Sequence, residues 1–230
     1  MHIMTLDCSG TYCIISIVEI KNNNEKCIFF KRKKTTGFLA SNVNLLLRKY
    51  FLNNKKIVSK IKLIAVNIGP GSYTGIRASV AFAKGVAFVL KVPLFGINLM
   101  DTFHFTALME KKDATILSIC HNKKHSFLYR FTNQKTTFPT KKRIKNFNID
   151  CILKSKELYE QNNLIIIGDN ANVVSNNLKK NLAKGIGIEF INRSYELSSS
   201  IVLAKIAIFK KISGLNYSPD PFYLKSSDYF

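Results

Sequence analysis

The pattern of apolar and polar positions between Leu63 and Lys91 predicts a strand, a glycine loop and a helix. Residues 63–68 form a short apolar run rich in β-branched side chains, typical of a strand buried on both faces. Residues 69–75 contain three glycines and a proline, so they predict a tight turn that leaves backbone N–H groups free. Residues 76–91 predict a helix that is apolar around most of its circumference, because its charged residues recur every seven positions and share one narrow stripe.

A second predicted helix, at 38–53, also carries more apolar surface than one packed face requires. One of its faces is apolar by the usual spacing of three and four residues. Phe38, Leu45 and Leu52 recur every seven residues on roughly the opposite face. Both helices therefore need cover on a second side, and the pattern leaves open whether their own chain or a partner protein supplies it.

The remaining pattern predicts an α/β chain of two lobes that meet near residues 100–112. Residues 133–148 are predicted as a basic, turn-prone segment, and three serines before the last helix are predicted to cap it. The further predicted strands are 3–7, 12–20, 27–31, 93–98, 115–120, 127–132, 164–167 and 189–191, and the further helices are 99–110, 154–161, 173–182 and about 198–212.

Composition narrows the class of protein. The chain has 230 residues and is 47% hydrophobic, which is ample for a core. No uncharged apolar run approaches the roughly 20 residues that cross a bilayer, and the first residues do not form a signal peptide. The five cysteines are odd in number and spread out, which argues against a disulfide framework or a zinc site. We therefore expect a cytoplasmic protein with no membrane partner.

The net charge of +21 has two interpretations. Clustered lysines and arginines bind the phosphates of nucleic acids. Alternatively, the charge reflects a drift in composition, because Lys, Asn, Ile and Phe are all abundant and the basic residues are dispersed. Local basic runs occur only at 31–34 and 141–143, and the sequence does not decide between a tRNA surface and drift.

The glycine loop is the strongest candidate for chemistry. It fits neither the P-loop nor the dinucleotide-binding spacing, so a structural turn is favoured over a nucleotide cradle. Asp7, at the end of the first strand, could hold a hydrated magnesium ion, but a role in capping the turn is favoured. His121 and His125 are interpreted as turn residues, and no catalytic residue and no metal site are proposed. The weak candidates for cofactor binding are Asp7, Ser9, Gly69, Gly71 and Ser72.

Three segments resemble the TsaB (YeaZ) family of tRNA threonylcarbamoyladenosine biosynthesis proteins. Residues Leu6–Ser9 resemble its opening I-D-T-S, with Cys8 in place of the usual Thr. Residues Gly69–Arg77 resemble its signature G-P-G-S-F-T-G-[VIL]-R, and Pro221–Lys225 resemble its ending P-x-Y-L-R. The resemblance is dense over residues 63–103 and thin over residues 133–195.

The resemblance implies an actin-like (ASKHA) α/β fold of two lobes, each a mixed sheet with flanking helices. It divides the chain into an N-terminal lobe at 1–104, which carries the partner-binding helices, and a C-terminal lobe at 105–230, whose tail can return to the first. It implies a non-catalytic subunit that forms a heteromer with the catalytic paralogue TsaD in modifying the adenosine 3′ of the anticodon of tRNAs that read ANN codons. Further implied partners are a TsaE-type ATPase, tRNA through the complex, and a second copy of the chain when it is alone.

The resemblance also assigns roles to residues. TsaD-like chains carry metal-binding histidines after the strand that matches 93–98, whereas this chain has Leu99 and Phe103 at those positions. No cofactor is then expected on this chain alone, although a nucleotide at the heteromer interface stays open. The implied partner-contact residues are Phe38, Leu45, Leu52, Ala78, Ala81, Lys84 and Gly85.

Two other functions compete with this one. The chain could be an enzyme, either an actin-fold ATPase or a metallopeptidase-like hydrolase, but the missing histidines and P-loop argue against that. It could instead be a free-standing RNA-binding module, which predicts tRNA affinity without partners that falls steeply with salt.

Overall fold

The structure is a computed structural model, and it divides into two compact units. The first unit comprises Met1–Leu99 and Tyr195–Tyr223, and the second comprises Met100–Ser194 and Leu224–Phe230. The residues described are 1–22, 24–34, 45, 48, 55–110, 114–123, 126–133, 144–147, 152–154, 156–159, 163–181, 186–192, 197–214 and 219–222.

The first unit is built on a mixed sheet of five strands in the order β3-β2-β1-β4-β5. The first three strands form an antiparallel meander, while β4 pairs parallel to β1 and β5 pairs parallel to β4. The central strands β1 and β4 are almost wholly buried, as their mostly apolar sequences predict. The strands are β1 (His2–Asp7), β2 (Tyr12–Lys21), β3 (Asn24–Lys34), β4 (Ile61–Gly69) and β5 (Leu94–Asn98).

Helices complete the first unit. A short helix α1 (Lys55–Val58) precedes β4, and α2 (Tyr73–Leu90) connects β4 to β5. The inner face of α2, with Ile76 and Val80, joins the core formed with β1 and β4. A later helix, α5 (Leu197–Ile212), packs against all five strands of this sheet.

The second unit repeats the topology of the first. Its sheet has the order β10-β9-β6-β7-β8, in which β6, β7 and β8 form an antiparallel meander, β9 is parallel to β6, and β10 is parallel to β9. The sequence shows no repeat, so this duplication is visible only in the structure. The strands are β6 (Thr115–Lys123), β7 (Ser126–Thr132), β8 (Lys145–Phe147), β9 (Asn163–Gly168) and β10 (Gly187–Asn192), and the helices are α3 (Leu99–Glu110), a 3₁₀-helix (Lys156–Tyr159) and α4 (Ala171–Asn181).

Most predicted elements are confirmed, and the structure differs from the sequence-based expectation at five points. The strand β8 lies within the segment predicted as turns, and α5 already begins at Leu197, so the serines predicted to cap it lie in its first turn. Cys8 and Cys13 form a disulfide bond, because the antiparallel β1 and β2 bring the two ends of a short turn together. The units separate after Leu99 rather than after residue 104. Finally, residues 195–223 group with the first unit, because α5 packs on its sheet.

Candidate functional site: the glycine loop and the outer face of α2

Asp7 caps the turn that follows β1. Its Oδ1 accepts a hydrogen bond from the backbone N–H of Ser9 at 2.9 Å and another from the Ser9 hydroxyl at 2.6 Å. The side chains of both residues are buried. This is the turn-capping role that the sequence favours over magnesium binding.

The glycine loop packs backbone against backbone on this turn. The N–H of Ser72 donates to the carbonyl oxygen of Ser9 at 2.7 Å. A Cβ added at Gly71 would collide with that same oxygen, and a Cβ added at Gly75 would collide with the carbonyl oxygen of Cys8. Both glycines are therefore required by the close approach of two backbone segments.

Several N–H groups of the loop are used inside the protein. Gly69 donates to Oδ1 of Asn67 at 2.8 Å, and Gly75 donates to Oγ of Ser72 at 3.3 Å, so that Ser72 is the N-cap of α2. The peptide bond between Gly69 and Pro70 is cis. For Gly69, Ser72 and Gly75, the prediction that the loop leaves its N–H groups free is therefore wrong.

The C-terminal segment 219–222 lies beside this loop. The N–H of Phe222 donates to the carbonyl oxygen of Ile68 at 2.8 Å. Oδ1 of Asp220 accepts a hydrogen bond from Nζ of Lys84 at 2.7 Å, which connects the segment to α2. Lys84 is therefore exposed but already paired within the first unit.

The outer face of α2 is apolar and exposed. We define it by Ala81, Lys84, Gly85, Phe88 and Val89, of which Phe88 is 85% exposed and Val89 is 75% exposed. A Cβ added at Gly85 would meet nothing within 4 Å. The face adjoins an apolar groove of about 470 Å³ lined by Val58, Phe82, Gly85, Val86, Val89 and Leu90.

The structure places the implied partner-contact residues as follows. Leu45 is helical and 64% exposed, and Ala81, Lys84 and Gly85 lie on the outer face of α2. Ala78 is only 8% exposed and belongs to the core cluster of the first unit, so it offers little surface to a partner. Phe38 and Leu52 lie outside the described residues.

Of the helices that the structure describes, α2 alone is long and apolar enough to cross a membrane by length and composition. A third of that stretch, 33%, is buried within the chain.

In the second unit, the turn at residues 168–170 connects β9 to α4 and packs against β6. A Cβ at Gly168 would collide with the carbonyl oxygen of Ile119, which also accepts a hydrogen bond from the N–H of Asp169 at 3.2 Å. At the start of α4, the N–H of Asn172 donates to Oδ1 of Asn192 at 3.3 Å. These N–H groups are therefore bound within the unit.

The positions of the TsaD-type metal ligands lie at the start of α3. Leu99 is 1% exposed and Phe103 is 5% exposed, so apolar groups fill both positions. In the described part of the chain no three His, Cys, Asp or Glu side chains come together as a metal site.

A buried polar cluster between α3 and β7 was not predicted. Nη2 of Arg130 donates to Oδ1 of Asp101 at 2.8 Å, and Nδ1 of His104 is hydrogen-bonded to Oγ1 of Thr132 at 2.8 Å. Burial, and then the charge of Arg130, lower the pKa of His104 to about 4. The pKa of Arg130 is lowered by burial, while Asp101 acts in the opposite direction. No local spacing connects residues about 30 positions apart, so the cluster could be found only after α3 and β7 were brought together.

Comparisons with known proteins agree with the fold and the signature. The family model described as "TsaD: tRNA N6-adenosine threonylcarbamoyltransferase" matches residues 39–213. The chain is 28% identical over 118 residues to the tRNA threonylcarbamoyladenosine biosynthesis protein TsaB of Buchnera aphidicola subsp. Schizaphis graminum (strain Sg). That match covers 50% of this chain and 52% of the relative, so the chain spans about half the length of the relative it matches.

Solved structures show the same architecture. YeaZ from Pseudomonas aeruginosa superimposes with a TM-score of 0.65 at 14% identity, over 97% of this chain and 99% of that one. A Bacteroides thetaiotaomicron protein with an actin-like ATPase fold superimposes with a TM-score of 0.50 at 12% identity, over 88% of this chain and 95% of that one. The chain therefore belongs to the TsaD family and, within it, to the TsaB (YeaZ) proteins, with an actin-like α/β fold of two lobes.

Proposed function

We propose that this chain is a non-catalytic subunit in tRNA threonylcarbamoyladenosine biosynthesis, which acts by forming a heteromer with a TsaD-type catalytic paralogue. The outer face of α2 is the observation that carries this proposal. The name of the TsaB relative and the match to the TsaD family model support the pathway and the partner.

The outer face of α2 has the properties of a helix-packing surface. Burying an aromatic or aliphatic side chain such as Phe88 or Val89 contributes about 1.5–3 kcal/mol each. The small residues Ala81 and Gly85, on the same face, allow a second helix to approach closely. A TsaD-type paralogue with a similar helix would bury this face, and a second copy of this chain would bury it when the paralogue is absent.

The apolar residues at the start of α3 support a non-catalytic role. Leu99 and Phe103 have no atom that ligates a metal ion. The glycine loop uses the N–H groups of Gly69, Ser72 and Gly75 internally, so we propose that this chain alone holds no nucleotide, and that a nucleotide, where used, binds at the heteromer interface. In this proposal the complex works in the cytoplasm and recruits tRNA and a TsaE-type ATPase.

The direct test is co-elution of the chain with the TsaD-type paralogue from the same organism. Phe88→Asp should reduce co-elution at least tenfold, because it places a charge in the apolar face. Leu45→Asp should act in the same way, since Leu45 is implied to lie on the same partner surface. Ile212→Asp is the matched control, because Ile212 is 81% exposed and also lies in the last turn of a helix. If Phe88→Asp co-elutes as well as the parent chain, or if the control loses as much co-elution, the partner binds a different surface.

Activity of the chain by itself is the alternative outcome. Steady ATP turnover by the purified chain, abolished by Asp7→Ala, would replace this proposal with an actin-fold ATPase. The folded state of Asp7→Ala must be checked by circular dichroism, because Asp7 caps the turn that supports the glycine loop.

A further inference from the structure

We propose that the end of β3 is a contact surface for the phosphate backbone of RNA, which we call the basic edge. It consists of Lys31, Arg32, Lys33 and Lys34. The inference rests on the proposed function only in taking tRNA as the RNA. Its physical basis is the position of these four residues in the first sheet.

The basic edge lies on the outermost described strand of the first sheet. Strand β3 pairs only with β2 among the described strands, and all four residues are exposed. The residues opposite them on β2 are uncharged, so β2 supplies no carboxylate directly across the strand pair. In order from Lys31 to Lys34, those opposite residues are Ile15, Ile14, Cys13 and Tyr12.

The strand geometry suits a chain of phosphates. Successive side chains of a strand point to opposite faces, so Lys31 and Lys33 share one face while Arg32 and Lys34 share the other. Two residues on one face are about 6.6–7 Å apart along the strand. The guanidinium of Arg32 lies 5.4 Å from the centre of the Tyr12 ring, which orients its planar fork of donors.

Charge is segregated along the β2–β3 hairpin. The end near the turn mixes acids with bases: Glu19 and Glu25 lie beside Lys21 and Lys26, and Glu25 forms an ion pair with Lys205 at 3.0 Å. The opposite end carries only cations. A drift in composition would spread charge without this separation. A lysine on an edge strand also blocks strand addition, but one such charge suffices for that purpose, and four adjacent cations repel one another.

The test measures binding of an unmodified tRNA transcript that reads an ANN codon to the full chain without partners. The variant Lys31→Gln/Arg32→Gln/Lys33→Gln/Lys34→Gln removes the basic edge. The matched control Lys154→Gln/Lys156→Gln/Lys179→Gln/Lys180→Gln removes the same charge from exposed positions of the second unit. The basic-edge variant should bind at least tenfold more weakly, and the control within about twofold of the parent. The slope of log affinity against log salt should fall in magnitude by about 3 in the basic-edge variant alone, as expected for the loss of four phosphate contacts.

Three results would overturn the inference. Equal weakening in both variants would assign tRNA binding to the dispersed charge. If the basic-edge variant binds tRNA as the parent does but self-associates, the role of these cations is only to block strand addition at the edge of the sheet. Loss of polyglutamate binding in the basic-edge variant, with unchanged tRNA binding, would assign the surface to an acidic protein.

The proposed function is tested separately, by measuring co-elution of the same variants with the TsaD-type paralogue. The basic-edge variant should co-elute like the parent, because its substitutions lie on β3 and not on the outer face of α2. If the basic-edge variant alone loses tRNA binding and the parent chain does not co-elute with the paralogue, the RNA surface is supported and the proposed partner is not.

Discussion

Gly75 and Gly85 lie about three turns apart on α2 and meet opposite surroundings. A Cβ at Gly75 would collide with the carbonyl oxygen of Cys8, whereas a Cβ at Gly85 would reach open space. The sequence predicts that the loop glycines form a turn. It cannot show which of them contacts the Cys8–Ser9 turn, because that contact joins segments more than 60 residues apart.

The same substitution at these two glycines should have opposite effects on stability. Gly85→Ala should stabilise the fold by about 0.5–1 kcal/mol, because alanine restricts the unfolded chain and favours the helix. Gly75→Ala should destabilise it by about 1–3 kcal/mol, because the backbone must move to admit a methyl group. Urea unfolding of the two variants measures both effects, and shifts of the same sign would show that the close approach at Cys8 is wrong.

His104 is the residue whose role the sequence conceals most completely. It lies on a predicted helix, yet it is 1% exposed and hydrogen-bonded to Thr132 beside the Asp101–Arg130 ion pair. Its partner is on another element, so no pattern within α3 distinguishes it from a surface histidine.

Acid should weaken the fold through His104. Its pKa is about 4 in the folded protein against an ordinary value of 6.5. Between these pH values the unfolded chain binds a proton at this site and the folded chain does not, so stability is lost as the pH falls through the window and the loss is complete below about 4.

The variant His104→Asn tests this dependence, because its amide can keep the hydrogen bond to Thr132 without titrating. Urea midpoints measured across the window should fall less steeply with acid in the variant than in the parent. Parallel curves would mean that His104 does not carry the dependence.

Among the elements, helix α2 has two different faces: one packs against the sheet of the first unit, and the other is exposed. Ala83 is fully buried against the sheet of the first unit, and Ala81 is exposed on the outer face. The apolar pattern predicts the helix and its excess of apolar surface. It does not say which small residues face inward: Ala78, a partner contact by the resemblance, lies in the core cluster of the first unit.

Aspartate at each of these alanines should separate folding from partner binding. Ala83→Asp should destabilise the fold by about 3 kcal/mol or more, because an unpaired charge is buried. Ala81→Asp should leave the circular dichroism spectrum and the urea midpoint nearly unchanged, while co-elution with the TsaD-type paralogue falls. Folding defects in both variants would indicate that the chain itself covers the outer face.

Strands and helices were predictable where their apolar runs are long. The run Leu164–Ile167 and the mostly apolar segment 99–110 lie in β9 and α3, respectively. The strand β8 escaped prediction because it has only three residues, Lys145–Phe147, of which one is a lysine and one an asparagine. Pairing with β7, rather than its own pattern, makes this segment a strand.

At the scale of the molecule, the sequence predicts two lobes but not the path of the chain between them. The apolar face of α5 fits any sheet of suitable width, and only the structure shows that it packs on the first sheet, where Nζ of Lys210 donates to the carbonyl oxygen of Gly96 at 3.0 Å. The repeated topology of the two sheets is likewise carried by strand pairing rather than by residue identity. The two-lobed actin-like fold is confirmed, and residues 195–223 complete the first unit rather than the second.

We propose that this chain is a silent but required partner of a catalytic paralogue. The most direct measurement is a tRNA threonylcarbamoylation assay with this chain alone, with the TsaD-type paralogue of the same organism alone, and with both together, with the remaining components of the reaction held constant. We expect modification only when both proteins are present. We also expect Phe88→Asp to lose that activity and Ile212→Asp to keep it. Modification by this chain without the paralogue would contradict the account and direct the search for an active site to Asp7 and the glycine loop.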